Sequence, residues 1–158
     1  MGKGSLYNFF PGGKEEMLTA VLAQVDAWFE AHVFEPLAQA EAAQAAVTAM
    51  FDAVDDYFRS GRRVCLVGVL ALGDASRDRF AGPVRSYFKR WVDALAHALA
   101  RAGHDEAAAM ALAEDVVAGI QGGIILARAL DDAGAFGRTM TKLKARVAYP
   151  AKRPPVGR

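Results

Sequence analysis

The chain has one cysteine, Cys65, in 158 residues. That excludes an internal disulfide framework and a multi-cysteine zinc site, and it fits a reducing compartment. An excess of charge of one sign is missing too. The 19 Lys and Arg are balanced by 18 Asp and Glu, for a net charge of +1. No protein-wide field therefore grips nucleic acid, although a local basic patch is compatible with that balance. Proline is sparse inside the chain, where Pro11, Pro36 and Pro83 stand alone, and it returns at Pro150, Pro154 and Pro155. Long apolar runs are absent as well. The opening MGKGSLYNFFPGG has no apolar signal core, and the longest uncharged stretches, 64–73 and 116–127, fall short of the roughly 18–20 residues a membrane span needs. A cytoplasmic globular domain with no membrane partner is the expectation.

What is abundant is alanine, roughly one residue in five and the best intrinsic helix former. No stretch alternates apolar and β-branched residues with polar ones, so no sheet is expected and the class is all-α. A chain of this length forms one domain that buries roughly 68–70% of its unfolded surface, without help from a disulfide or structural metal.

Helical spacing predicts six helices after a short opening one. Lys14-Glu15-Glu16 opens a long helix with Leu18, Leu22, Val25, Trp28 and Phe29 on one face, expected to end or kink near Pro36. A second carries Val47, Met50, Phe51, Val54 and Phe58, with Gly61 as its stop signal. VCLVGVLALG is apolar all round and predicts a central, fully buried helix. Val84, Phe88, Trp91, Leu95 and Leu99 make the next, stopped by Gly103. A helix from about Asp105 to Leu130 and one bearing Phe136, Met140, Leu143 and Val147 complete the set. The tail PAKRPPVGR, 150–158, is basic and expected to be disordered.

Catalytic and metal chemistry finds little support. His32, His97 and His104 lie far apart, with no HExxH pattern, and no metal or cofactor is expected. Asp93 and His97 are one turn apart and read as a surface pair. Asp52, Asp55 and Asp56 read as a solvated face, and Cys65 as a packed thiol. No phosphate-binding glycine loop or nucleophile elbow is present.

Two features stand above this background. Gly119, Gly123 and Ala127 recur at i, i+4, i+8, and a helix that carries two interior glycines loses about 1 kcal/mol for each relative to Ala. Close approach of another helix explains them, either within the protomer or across an interface. With Phe136, Met140 and Leu143 on the following helix, the set predicts an isologous four-helix homodimer contact. The second feature is the opening, where Lys3, Ser5, Tyr7 and Lys14 are capable of phosphate contacts. Two lysines and two glutamates leave that segment neutral, which alone is weak evidence for DNA.

The order of residues there is more specific. KGSLYNFFPGGKEEMLTAVL resembles the end of the DNA-binding domain of tetracycline-repressor (TetR) family regulators, and its Phe-Pro-Gly-Gly-Lys-Glu-Glu variant resembles the lincomycin-resistance repressor subgroup. VCLVGVLALGD resembles that family's buried sixth helix, and AGIQGGIILARAL with the Phe136 helix resembles its paired last helices. The resemblance implies a TetR-like helical ligand-binding and dimerisation domain over 14–149 and a helix-turn-helix remnant over 1–13. It places Lys3, Gly4, Ser5 and Tyr7 on the recognition helix and Lys14 at a phosphate. Phe9 departs from the pattern, because it stands where histidine often contacts the backbone and a phenyl ring cannot make that bond.

A helix-turn-helix needs a first helix to set the second across the duplex. The chain starts inside the turn, so the resemblance implies a truncated head, from a valine GTG codon read as the start or from a cut there. Operator binding by these 158 residues is accordingly expected to be weak. By the same resemblance a hydrophobic or aromatic effector enters a pocket lined by Trp28, Phe51, Cys65, Val69, Phe88, Trp91, Gln121 and Ile125, in a homodimeric repressor that binds operator DNA and is not an enzyme. The competing readings are a DNA-independent helical module for a hydrophobic molecule or partner protein, and an all-α enzyme using Asp93 and His97 or Cys65.

Overall fold

A computed structural model of the chain describes residues 12–73 and 77–148, with the side chains of Arg77 and Asp78 set aside. The opening segment with Lys3, Gly4, Ser5 and Tyr7, and the basic tail, lie outside the described residues. Those that are described contain helices and no strand.

α1 (Lys14–Phe29) starts behind Gly13, whose φ of 74° is in the left-handed region. Glu15 and Glu16 sit in its first turn, where the helix dipole favours carboxylates, and the Gly12 N–H donates to Glu16 Oε2 at 2.5 Å. Pro36 does not end this helix. A proline lacks the N–H and presses on the carbonyl four residues back. The chain widens instead into a π-helical turn over Glu30–Phe34, in which the Glu35 N–H reaches the Glu30 carbonyl, and resumes as α2 (Glu35–Gln39).

α3 (Ala43–Tyr57) buries Val47, Met50, Phe51 and Val54. It closes at Tyr57, ahead of the expected stop, and Arg59, Ser60 and Gly61 all take positive φ. At Gly61 the requirement is doubled, because φ is 85° and a Cβ there would lie 2.6 Å from Phe136 Cβ. After α4 (Leu66–Leu72), α5 (Arg77–Arg101) carries Pro83 near its start. α6 (Glu106–Ala129) and α7 (Ala133–Val147) are each opened by an aspartate cap, Asp105 accepting from Ala108 N–H and Asp132 from Gly134 N–H.

The expectation for VCLVGVLALG needs correcting. α4 is one face of a surface wall, not a central helix: Val67 is buried, while Val69 is 52% and Leu72 79% exposed. Its seven residues make only two turns, with the Val67 side packed on the core and the side bearing Val69 and Leu72 left exposed. α6 is the described helix whose length and hydropathy would suit a membrane. Its apolar character instead divides between a core face with Val116, Ile120 and Ile124 and an outward face, and Glu114 and Asp115 interrupt it.

The core is aromatic. Phe29 is fully buried, with the rings of Tyr87, Tyr57 and Trp91 centred 4.9, 5.0 and 5.1 Å away. Trp91 Nε1 donates to Met50 Sδ at 3.5 Å, which answers its only polar atom. On the outside, Arg90 of α5 pairs with Asp26 and, at 2.6 Å, with Glu30, its guanidinium 5.0 Å from the Phe34 ring centre. Arg90 thereby straps α1 and its π-turn to α5.

Candidate ligand cavity and flanking helix surfaces

A cavity of about 640 Å³ opens between α4, α5 and α6. Its wall comes from Val64, Cys65, Gly68, Val69, Ala71 and Leu72 of the α4 segment, Phe88 of α5, and Gln121, Ile124, Ile125, Arg128 and Ala129 of α6. The size is within the range of small-molecule pockets, roughly 300–1,000 Å³. Val69, Leu72 and the 56%-exposed Ile125 stand at the mouth, so large apolar side chains meet solvent where a ligand would cover them.

Five of the eight residues expected to line a pocket are brought together here: Cys65, Val69, Phe88, Gln121 and Ile125. The other three are elsewhere. Phe51 and Trp91 are fully buried in the core, and Trp28 lies against His32 and Tyr57, with ring centres 4.5 and 4.4 Å apart. Aromatic rings satisfy one another in the core, and the cavity is left largely aliphatic, with Phe88 its single ring among the described residues. The spacing 121, 124, 125, 128 on α6 was legible as one helical face and could have supplied Ile124 and Arg128. Val64, Gly68, Ala71 and Leu72 were not separable from the apolar run containing them.

The inner end of the cavity is polar. Cys65 caps α4 by accepting from the Gly68 N–H at 3.3 Å, and burial pushes its thiol above the usual cysteine range. Burial likewise raises the Tyr87 hydroxyl well above the ordinary tyrosine value, and the field of Cys65 adds to it. Tyr87 Oη and Gln121 Nε2 are close to this sulfur, yet both are buried without a hydrogen bond of normal geometry. Gly68 makes room for the amide, since a Cβ there would lie 2.6 Å from Gln121 Oε1.

The six residues expected at a dimer contact lie inside the protomer. A Cβ on Gly119 would meet Leu143 at 2.9 Å, and one on Gly123 would meet Phe136 and Thr139 at 3.2 Å. Ala127, Phe136, Met140 and Leu143 are all buried. Positions that ascend α6 meet positions that descend α7, so the glycines close an antiparallel α6–α7 hairpin. The spacing was sound as a sign of close helix approach, but the partner helix belongs to the same chain.

The outward faces of that hairpin carry a different set. Ala107, Ala111, Ala118, Ile125 and Ala129 of α6 are exposed, Gly122 lies in the same stripe, and α7 presents Gly137, Thr141 and Ala145 at i, i+4, i+8. A Cβ on Gly122 or Gly137 would meet no atom within 4 Å.

The remaining candidates are accounted for by local partners. Asp93 pairs with Lys89 at 2.5 Å, not with His97, and Asp52 pairs with Lys144 at 2.7 Å. Buried His104 holds the Val147 carbonyl through Nε2 at 3.3 Å. Among the described residues no group of three His, Cys, Asp or Glu could hold a metal ion. Lys14 is exposed as the first residue of α1.

Comparison with known proteins agrees with this architecture. The crystal structure of a TetR transcriptional regulator from Legionella pneumophila is similar with a TM-score of 0.75 and 21% sequence identity, over 92% of this chain and 80% of that one. No curated protein matches the chain. Residues 39–142, which run from the end of α2 through most of α7, match the family described as "Transcriptional regulator LmrA/YxaF-like, C-terminal domain". The chain therefore belongs to this family of non-enzymatic transcriptional regulators of the TetR type.

Proposed function

We propose that the chain is the effector-binding and dimerisation domain of a cytoplasmic transcriptional repressor. The cavity between α4, α5 and α6 carries this reading, because it is large, apolar and open, and Gln121 in its wall keeps an amide nitrogen without a partner. A hydrophobic small molecule is the effector. Two copies associate through the outward faces of α6 and α7, whose small residues let helix backbones approach closely. Operator DNA is contacted from the N-terminal side of α1, through Lys3, Gly4, Ser5 and Tyr7, with Lys14 at a phosphate.

A physical route joins the cavity to α1. Phe88 lines the cavity, and Arg90, two residues on, holds Asp26 and Glu30 of the α1 segment. An effector that moves α5 therefore moves α1, and the dimer shifts between DNA-competent and incompetent spacings. Arg90→Ala tests this route. Effector affinity stays within about twofold, while the effector's power to release operator falls by on the order of tenfold, the loss of roughly 1.4 kcal/mol of coupling. Unchanged release would leave the strap without a role in coupling.

The whole reading is tested by a gel shift on the regulator extended by an upstream helix pair, with the promoter of its own gene. A salt-sensitive complex that hydrophobic compounds dissolve is the expected result. Absence of any complex at low salt would overturn it in favour of a DNA-independent module.

A further inference from the structure

The inner end of the cavity is chemically unlike the rest of it. Aliphatic side chains form most of the wall, but Gln121 is part of it, and its Nε2 is buried without a hydrogen bond of normal geometry beside the Cys65 thiol. An amide N–H buried without a partner is costly in a folded chain, and one that borders a cavity has somewhere to find a partner. No carboxylate lines the described wall. Its charged member is Arg128, two helical turns along α6 from Gln121, and that guanidinium donates to the Arg62 carbonyl at 3.3 Å. A charge brought to the inner end would lose its water and meet no opposite charge.

We infer that the cavity takes an uncharged, mostly apolar molecule bearing a carbonyl-type acceptor oxygen, and that Gln121 Nε2 donates to this oxygen at the inner end. The inference rests on the cavity being the effector site and adds the chemistry that discriminates among apolar ligands. The apolar wall holds any hydrocarbon of the right size. The amide separates those that pair with it from those that leave it unpaired, which is how a buried donor rejects an isostere lacking the acceptor. Cys65 beside it is a neutral thiol, because burial holds its proton on, so it supplies no anion that would favour a cationic ligand.

The test uses the full chain and a neutral fluorescent probe, N-phenyl-1-naphthylamine, displaced by benzophenone or by diphenylmethane, which has a methylene in place of the carbonyl. In the native protein benzophenone displaces the probe at roughly tenfold lower concentration, the worth of one buried hydrogen bond. In Gln121→Leu and in Gln121→Met that preference collapses to the ratio of the compounds' own hydrophobicities, while diphenylmethane binds as before. Both variants melt at or above the native temperature, since an unpaired amide has been removed; a fall of several degrees would show that the amide serves the fold and would overturn the inference. A benzophenone preference that survives in both variants, or is absent from the native protein, overturns it while leaving the cavity a binding site. Failure of the probe itself to enter the native protein removes the effector-site reading along with it.

Discussion

Phe136→Ala lowers the stability of the protomer by about 3–5 kcal/mol, the usual loss when a buried phenyl becomes a cavity. The side chain is fully buried and fills the space that Gly61 and Gly123 leave by having no Cβ, so three elements lose contact at once: the turn after α3, α6 and α7. Glycine backbones cannot fill the gap by a change of rotamer, and the cost falls toward the upper end of that range. Urea unfolding followed by far-UV circular dichroism at two protein concentrations measures it. A loss independent of concentration is expected, because the contact lies within one chain. A variant that stays fully stable but becomes monomeric would instead place Phe136 between chains.

Gly122→Arg has the opposite pattern. The protomer stays folded, since nothing lies within 4 Å of the new Cβ and arginine improves on glycine in a helix by up to about 1 kcal/mol. Self-association is lost. In a two-fold contact the substitution occurs twice. A buried guanidinium without a partner costs about 3–5 kcal/mol, on the order of a hundredfold or more in Kd. Sedimentation equilibrium of the native chain and the variant measures this difference. Gly119→Arg is the natural companion: its side chain would run into Leu143 at 2.9 Å, so it disrupts the protomer itself. If Gly122→Arg leaves a dimer intact, the outward α6 face is not the contact.

The contrast between Gly119 and Gly122 shows where pattern reading reaches its limit. Both are helical glycines in the run GIQGG, and both lie on small-residue stripes. Periodicity reports that two faces of α6 can be approached closely. It does not report which face α7 of the same chain will take. The three aromatics Trp28, Phe51 and Trp91 are a second instance. Their residue types suit a ligand pocket and a core equally well, and tertiary packing made the choice: Phe29 packs with Trp28 and Trp91, Tyr87 packs with Trp91, and Phe51 is fully buried. Gln121 was legible for a different reason. A single amide in an apolar helix must be satisfied somewhere, and that obligation holds whatever the packing.

The single cysteine, the balanced charge and the alanine-rich helical spacing determined, without any structure, an all-α chain with no internal disulfide or multi-cysteine metal site, because those properties depend on composition and local backbone preference. The same holds for one helix start: Asp105 marks where α6 begins, because an aspartate beside free N–H groups acts within its own turn. Tertiary structure alone decided which helix fills the groove at Gly119 and Gly123, that α4 lies at the surface and not in the centre, and that a π-turn carries α1 past Pro36. Each of these turns on contacts between residues distant in sequence, or on a strain the chain relieves in one of several ways. Local sequence supplies the faces, and the packing of the whole chain selects which of them remain open to a ligand or a second copy.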